Sequence, residues 1–121
     1  MSLNILAVDD SRTMRDMVRL ALGAAGMTVT TADDGVHGLE VLEGMAPDAI
    51  ISDINMPRLD GFGFIRAVRA IERMRGVPIL VLTTESAPEL KARAREAGAT
   101  GWIVKPFDPG KLVKTVQMVT G

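Results

Sequence analysis

The stretch "IISDINMP", residues 50–57, determines how the rest of the chain is interpreted. Its apolar start, which follows Ala49, is typical of a strand that is buried on both faces. Asp53 comes at the point where such a strand would end. A lone carboxylate at the edge of an apolar core is costly unless a partner or a metal balances it. The stretch therefore predicts a central strand with a functional acid at its carboxyl end.

Four more apolar runs alternate with helix-like segments along the chain. The five strand-like runs are residues 5–8, 27–31, 49–52, 78–83 and 101–104. Most of them are nearly continuous in apolar residues, as in parallel strands covered on both faces, whereas 27–31 alternates like a strand nearer an edge. This alternation predicts an α/β fold: a doubly wound, five-stranded parallel sheet with five helices and right-handed crossovers.

The segments between the runs carry helix signals. Ser11 suits the N-cap of the first helix, and Gly26 suits its C-terminal stop. The other helices are predicted over 36–43, after Gly61, over 89–97 and after Pro109. The fourth helix has Leu90 and several alanines to bury, so we expect it to be the least firmly anchored.

Length and composition set further limits. The 121 residues suggest one domain, residues 1–121, which is either a whole protein or part of a longer one. The chain has no cysteine, which excludes disulfides and thiolate metal sites. It has no apolar run long enough to span a bilayer and no signal-peptide pattern, so we expect a cytoplasmic protein without membrane insertion.

Charge is unevenly distributed between the two halves of the chain. The formal net charge of −1 argues against nucleic-acid binding. Residues 1–60 hold 4 basic and 10 acidic residues, whereas residues 61–121 hold 10 basic and 5 acidic residues. The acidic first half suits the binding of a cation, and the basic second half suits the binding of an acidic partner. Solvated helix faces nevertheless account for most of these charges.

Polar residues follow four of the five predicted strands. Asp9 and Asp10 end the first, Asp53 the third and Thr83 the fourth, and Lys105 follows the fifth. Functional groups gather at the carboxyl ends of the strands in a doubly wound sheet. Three converging carboxylates repel one another and need a cation. Because their ligand atoms are oxygens, they favour Mg²⁺ or Mn²⁺ over zinc.

This set suits phosphoryl chemistry. Asp53 would be the nucleophile that forms an aspartyl-phosphate. The metal and Lys105 would neutralise charge on the transferring phosphoryl group, and Thr83 would donate a hydrogen bond to it. Each residue alone has an ordinary explanation, such as a helix-capping turn for two adjacent aspartates. Their joint occurrence at four strand ends favours a shared functional site over these separate explanations.

Four segments carry a family resemblance. They are "LAVDDSRTMR" (6–15), "ISDINMPRLDGFGFI" (51–65), "VLTTES" (81–86) and "EAGATGWIVKPF" (96–107). Over essentially the whole chain they resemble the receiver domain of two-component response regulators, and most of all the single-domain regulators of chemotaxis. The resemblance implies a flavodoxin-like strand order 2-1-3-4-5. It also implies Mg²⁺-dependent phosphorylation of Asp53 by a histidine kinase.

The resemblance assigns roles to residues of this chain. Asp10 matches a direct metal ligand, and Asp9 matches a residue that holds the metal through water. Asn55 matches the position whose backbone carbonyl binds the metal. Thr83 and Lys105 match the hydroxyl and the ammonium that bind the phosphoryl group. The implied metal site thus comprises Asp9, Asp10, Asp53 and Asn55.

Two positions depart from the family's usual pattern. Trp102 stands at the aromatic switch position, which is usually Tyr or Phe. The resemblance implies that this ring turns inward when phosphorylation draws Thr83 toward the site, and the larger indole predicts a partial shift. Thr84 replaces a smaller residue and is expected to hinder access to Asp53. Asn55 and Glu85 match the pair that flanks the site and sets the dephosphorylation rate.

The implied partners are a histidine kinase and a downstream protein, such as the flagellar motor switch. The latter would bind a face formed by the fourth helix, the fifth strand and the fifth helix. We expect a monomer that works as a signalling domain and catalyses only its own phosphorylation and dephosphorylation. Phosphate sink, relay intermediate and a piece of a multidomain regulator remain alternatives within the family.

Two other classes share parts of this pattern. A haloacid-dehalogenase-type phosphatase uses the same Asp, Mg²⁺, Thr and Lys. It needs a second carboxylate two residues after the nucleophile, where this chain has Asn55. A flavodoxin needs a phosphate loop rich in Ser, Thr and Gly, where this chain has "DDSR". Both are therefore disfavoured.

Several other residues have modest interpretations. His37, the only histidine, is expected on a solvated helix surface. Gly61 is expected to permit a tight turn into the third helix. Basic residues of the fourth helix are expected on a solvated face, or else in the partner surface; they are Lys91, Arg93 and Arg95.

Overall fold

The structure, a computed structural model, describes residues 2–121, and within them a five-stranded parallel sheet forms the centre of the molecule. The strands are β1 (Asn4–Val8), β2 (Thr28–Ala32), β3 (Ala49–Ser52), β4 (Ile79–Thr83) and β5 (Gly101–Val104). Their order along the sheet is β2-β1-β3-β4-β5, and every neighbouring pair is parallel. The predicted fold class and strand order are confirmed, and β2 lies at an edge as expected.

Helices cover both faces of this sheet. They are α1 (Arg12–Gly23), α2 (Gly35–Leu42), α3 (Gly61–Ala70), α4 (Pro88–Ala97) and α5 (Pro109–Thr120). Four of them begin at a side-chain cap, which satisfies an otherwise free backbone N–H. These capping residues are Ser11, Asp34, Asp60 and Asp108. The N-cap residue of the fourth helix is instead Ala87, whose methyl group cannot accept a hydrogen bond.

The apolar side chains form two layers, one on each face of the sheet. On β1, Leu6 and Val8 belong to the layer beneath α2, α3 and α4. The alternate residues Ile5 and Ala7 belong to the layer beneath α1 and α5. All four side chains are almost fully buried. The near-continuous apolar run thus reflects a strand covered on both faces.

Some element boundaries differ from the sequence prediction. The regular part of the first helix ends at Gly23, and Gly26 with φ 84° ends the turn that follows it, so the predicted C-terminal stop is confirmed. Met27 closes this turn by donating its N–H to the Leu22 carbonyl, so β2 starts one residue later than predicted. The fourth strand starts after Pro78, which has no N–H for the ladder.

A short 3-10 helix, Glu72–Met74, follows α3 and was not predicted. It is held by Arg69, whose Nη1 donates to the Met74 carbonyl at 2.7 Å. The Nε atom of the same side chain donates to the Gly98 carbonyl at 3.0 Å. One guanidinium therefore ties the ends of α3 and α4 together, a contact that sequence periodicity does not signal.

The remaining helix-surface predictions are largely confirmed. His37 is 43% exposed, and its Nδ1 lies 3.1 Å from an oxygen of Asp33. Within α4, Ala94 is the buried residue, as expected for a weakly anchored helix. Arg93 is not merely solvated, since its guanidinium lies 4.0 Å from the centroid of the Phe62 ring.

Across residues 2–121, no helix has the length and apolar character needed to cross a membrane.

Candidate functional site

The carboxyl ends of β1 and β3 place two aspartates side by side at one edge of the sheet. Asp9 donates its backbone N–H to the Ala32 carbonyl at 3.1 Å, and Asp53 donates to the Val8 carbonyl at 3.0 Å. Both residues thus extend the strand ladders by one position and start from a fixed backbone. Both are buried.

Lys105 joins the two aspartates. Its Nζ lies 2.8 Å from Oδ2 of Asp9 and 2.9 Å from Oδ2 of Asp53. The lysine side chain is only 9% exposed. Its backbone N–H donates to the Thr83 carbonyl at 2.7 Å, which fixes the start of the segment after β5. The ammonium therefore balances the charge that the sequence placed at the end of the central strand.

The second oxygen of each aspartate is held by a backbone N–H. Oδ1 of Asp53 accepts from Ile54 at 2.6 Å, and Oδ1 of Asp9 accepts from Ser11 at 2.9 Å. Each carboxylate is therefore fixed at both oxygens, one by the main chain and one by Lys105. This arrangement orients Asp53 before any ligand arrives.

Asp9, Asp10 and Asp53 together form a cluster suited to a cation. Carboxylate oxygens from the three residues lie within 4.8 Å of one another. Asp10 is exposed, whereas the other two are buried. An all-oxygen set with one solvent-facing member fits Mg²⁺, which keeps several of its waters. The fourth predicted ligand position, Asn55, is exposed in the loop after β3.

Burial and pairing shift the ionisation of this site. Burial raises the pKa of the Asp9 carboxyl above its ordinary value, and the hydrogen bonds from Lys105 and Ser11 only partly offset this. Burial alone would lower the pKa of Lys105, but the hydrogen bonds to Asp9 and Asp53 outweigh it and raise that pKa. The lysine consequently stays a charged ammonium at neutral pH.

Thr83 lies at the end of β4 and is fully buried. Its Oγ1 accepts a long hydrogen bond, 3.4 Å, from the Glu85 N–H. The next residue, Thr84, is exposed. The predicted hydroxyl is thus at the expected strand end, beside the segment that leads into α4.

A short chain of hydrogen bonds links the loop after β3 to β5. Asn55 Nδ2 donates to Oε1 of Glu85 at 3.3 Å. The backbone carbonyl of Glu85 in turn accepts from the indole Nε1 of Trp102 at 3.0 Å. The half-buried ring therefore has the polar partner that a buried indole needs. The structure brings together three residues that sequence reasoning had assigned to rate control and switching.

Sequence reasoning missed two arginines near the site. Arg15 Nη1 donates to the backbone carbonyl of Asp9 at 2.7 Å and so braces the end of β1 from α1. Arg58, in the loop after β3, forms an ion pair with Asp34. Neither pair follows a helical or strand period, so pattern analysis had no signal for them.

Comparison with known proteins decides the family. The sequence pattern described as "Response regulator receiver domain" matches residues 5–117, nearly the whole chain. This chain is a response regulator receiver domain. The resemblance stated from the sequence is confirmed.

Relatives of this receiver include chemotaxis proteins. It is 37% identical to the chemotaxis protein CheY of Pseudomonas aeruginosa over 118 residues, which cover 97% of this chain and 95% of that protein. The solved structure of the chemotaxis response regulator CheY4 of Vibrio cholerae is 48% identical, with a TM-score of 0.93 over 98% of this chain and 99% of that one.

A third similar structure is described with a metal ion. The receiver domain of the sensor histidine kinase PA1611 from Pseudomonas aeruginosa has a magnesium ion coordinated in its active-site cleft. It is 30% identical to this receiver, with a TM-score of 0.92 over the whole of this chain and 99% of that one.

Proposed function

We propose that this receiver takes a phosphoryl group from a histidine kinase onto Asp53, in a Mg²⁺-dependent reaction, and thereby changes its affinity for a partner protein. One observation carries the proposal. The buried Asp53 carboxylate is held by Lys105 at 2.9 Å and lies in a cluster with two further carboxylates. This arrangement supports the proposal that a nucleophile, a point charge and a cation site meet at one edge of the sheet.

In the transfer, a carboxylate oxygen of Asp53 forms a bond to phosphorus while the bond from phosphorus to the donor histidine nitrogen breaks. The electron pair of the broken bond stays on the imidazole, and the product is an acyl phosphate. Lys105, whose ammonium lies 2.9 Å from the Asp53 carboxylate, would neutralise charge on the phosphoryl oxygens. Bound Mg²⁺, held by the three carboxylates and the Asn55 carbonyl, would supply further charge neutralisation. Thr83 would donate a hydrogen bond to a phosphoryl oxygen.

Hydrolysis of the acyl phosphate would return the domain to its resting state. Asn55 and Glu85, which are joined at 3.3 Å, would flank the approach to Asp53, as the family resemblance implies. Their position supports the proposal that they set the rate of this step. The output would be binding, and the only reactions catalysed would be those of the domain's own phosphoryl group.

The surface of α4 and β5 suits an acidic partner. A groove between them is lined by Lys91 and Arg95 on one side and by Trp102 on the other. Val104, further along β5, is 40% exposed although it is apolar. Two cations beside apolar surface match an amphipathic segment that carries carboxylates. The chemotaxis names of two similar proteins support a role in chemotaxis, and the proposal extends to a partner in motor control and a cytoplasmic location.

Phosphorylation can be tested with a small phosphodonor. Acetyl phosphate with Mg²⁺ should add one phosphoryl mass, and hydroxylamine should remove it because the product is an acyl phosphate. Asp53→Asn should stay unlabelled while keeping its fold. Asp108→Asn is the matched control, since it alters an exposed capping aspartate of α5, and it should label normally. Label on Ser, Thr or His37 would contradict the proposal.

The partner can then be sought with a stable mimic. Beryllofluoride with Mg²⁺ should hold the domain in its activated state, and a pull-down with that complex should recover the downstream protein. A charge reversal at Lys91 or Arg95 should reduce its recovery. Equal recovery with and without beryllofluoride would mean that Asp53 does not control binding.

A further inference from the structure

Arg58 anchors the loop between β3 and α3 to the start of α2. Its Nε donates to Oδ2 of Asp34 at 2.6 Å, and its Nη2 donates to Oδ1 at 3.0 Å. The two parallel hydrogen bonds form a fork, the geometry that gives arginine its preference for carboxylates. Asp34 is 4% exposed and also caps α2 by accepting from the His37 N–H at 2.9 Å. This aspartate is therefore a fixed anchor.

The backbone of Arg58 adopts a conformation that side chains disfavour. Its φ of 65° lies in the left-handed region, where a residue with a Cβ is less stable than glycine by roughly 1 kcal/mol. The conformation persists because the side chain and its neighbours hold it. The fork to Asp34 is one such restraint.

Leu59 supplies a second restraint beside the fork. It packs so closely on two glycines that a Cβ on Gly35 would lie 2.7 Å from the Leu59 carbonyl oxygen. A Cβ on Gly63 would lie 2.6 Å from Cδ1 of the same leucine. The loop thus sits directly on the backbones of α2 and α3.

Between this anchored portion and Asp53 lies Asn55, the position whose carbonyl is expected to bind the metal. Asn55 itself is exposed, whereas its neighbours Ile54 and Met56 are buried, and the direction of its carbonyl is set by the backbone of this loop. Mg²⁺ requires near-ideal octahedral geometry. A small displacement of this carbonyl would therefore weaken metal binding.

We propose that Arg58 is a positioning residue: its fork to Asp34 presets the β3–α3 loop so that the Asn55 carbonyl is oriented for Mg²⁺. The inference rests on the proposed function, because it assumes that the carboxylate cluster binds this ion. Arg58 acts through the loop and does not touch the phosphoryl group or the metal.

The test is Mg²⁺ affinity of the full chain, measured by isothermal titration calorimetry. Arg58→Ala and Asp34→Asn should each raise the dissociation constant about tenfold, as the loss of a contact behind a metal ligand does. The double variant should bind Mg²⁺ no more weakly than either single variant, because both substitutions remove the same Arg58–Asp34 pair. Arg58→Lys keeps the charge without the fork and should also weaken binding. Arg66→Ala, at an exposed arginine of α3, is the control and should bind as wild type.

Arg58→Gly separates the fork from the backbone conformation. Glycine relieves the left-handed strain, so this variant should be more stable than Arg58→Ala and yet bind Mg²⁺ equally weakly. In the metal-free protein, hydrogen exchange of the loop amides at residues 55, 56, 58 and 59 should be faster in the alanine and glycine variants. Phosphorylation by acetyl phosphate should need more Mg²⁺ for half-maximal rate, with the rate at saturating Mg²⁺ unchanged.

The outcomes distinguish the two proposals. If wild type binds Mg²⁺ and the Arg58 variants bind it equally well, the inference is wrong, even if those variants melt at a lower temperature. If wild type itself does not bind Mg²⁺, the proposed function fails, and the inference fails with it.

Discussion

Two loops flank the same carboxylates and are held in opposite ways. The loop from β3 to α3 is fixed by the Arg58 fork, by the packing of Leu59 and by the cap that Asp60 provides at 2.8 Å. The loop from β4 to α4 has an exposed Thr84 and leads to a helix without a side-chain cap. Its main tie is Glu85, which receives hydrogen bonds from Asn55 and from Trp102.

Under the proposed function, this difference would separate metal and phosphoryl binding from the change in partner binding. Metal and phosphoryl binding need fixed geometry, which the first loop has. A switch needs an element whose alternative position is only slightly less stable, and such elements have few buried contacts. The second loop and α4, which buries Ala94, meet that description. We expect perturbations of the first loop to change metal binding and perturbations of the second to change the switch.

The strongest test of the comparison is Gly61→Ala. A Cβ there would lie 2.2 Å from the Asp53 carbonyl oxygen and 2.7 Å from Cα of Ile54, so backbone would have to move. The expected loss in the free energy of unfolding is about 3 kcal/mol, with weaker Mg²⁺ binding in the folded fraction. Urea unfolding and Mg²⁺ titration measure the two effects. Gly44→Ala, which would meet nothing within 4 Å, should be nearly neutral.

Asp10→Asn should alter charge at the site without moving the fixed loop. It removes one of three clustered carboxylates, so the metal-free protein should gain about 1 kcal/mol, or roughly 4 °C in melting temperature. Mg²⁺-dependent phosphorylation should be lost. Asp9→Asn should gain less stability, because it also breaks the pair with Lys105. Unchanged Mg²⁺ affinity in Asp10→Asn would refute its assignment as a direct ligand.

Trp102→Phe tests the second loop. It removes the indole N–H that Glu85 accepts, and the expected cost is about 1 kcal/mol. Amides at 84–87 should exchange faster, while Mg²⁺ affinity stays within twofold of wild type. A fall in Mg²⁺ affinity as large as that of Gly61→Ala would show that the two loops are not independent.

The wild-type Trp102 fluorescence gives a related but smaller signal. Beryllofluoride with Mg²⁺ should shift the emission to the blue and reduce quenching by iodide. Because the ring is already half-buried with its N–H paired, the shift should be partial. Thr83→Ala should weaken the shift while leaving beryllofluoride binding largely intact. Identical emission at saturating beryllofluoride would exclude Trp102 as a reporter.

The smallest expected effect is a pH dependence of the stability that the Arg58–Asp34 pair contributes. The hydrogen bonds from Arg58 and His37 lower the pKa of Asp34 below its ordinary value of 3.8. A lowered folded-state pKa contributes stability above the unfolded value and loses it as pH falls through the folded value. The stability difference between wild type and Arg58→Gln should therefore be constant at neutral pH and shrink below pH 3.8. Urea unfolding across this range measures it, and a difference that grows on acidification would contradict the pairing.

Sequence patterns predicted the strands from their apolar runs, and they predicted the site residues from their positions directly after those runs. Asp9, Asp53 and Lys105 meet because parallel strands end at the same edge. The Arg58–Asp34 pair joins residues 24 positions apart in two loops, and no period relates them. Gly61 is expected to permit a tight turn into the third helix, and it does begin α3, although its φ is not positive. The structure shows instead that the Asp53 backbone leaves no space for a Cβ.

Lys105 and Asp9 are 96 positions apart, and Lys105 and Asp53 are 52 positions apart. During synthesis at about 5–20 residues per second, the ribosome would finish Asp53 roughly 3–10 s before it adds the lysine. Until then the two aspartates would lack the ammonium that balances them. Under the proposed function, a nascent or truncated chain that lacks residue 105 should therefore be a poorer phosphoryl acceptor than a chain whose fifth strand is in place.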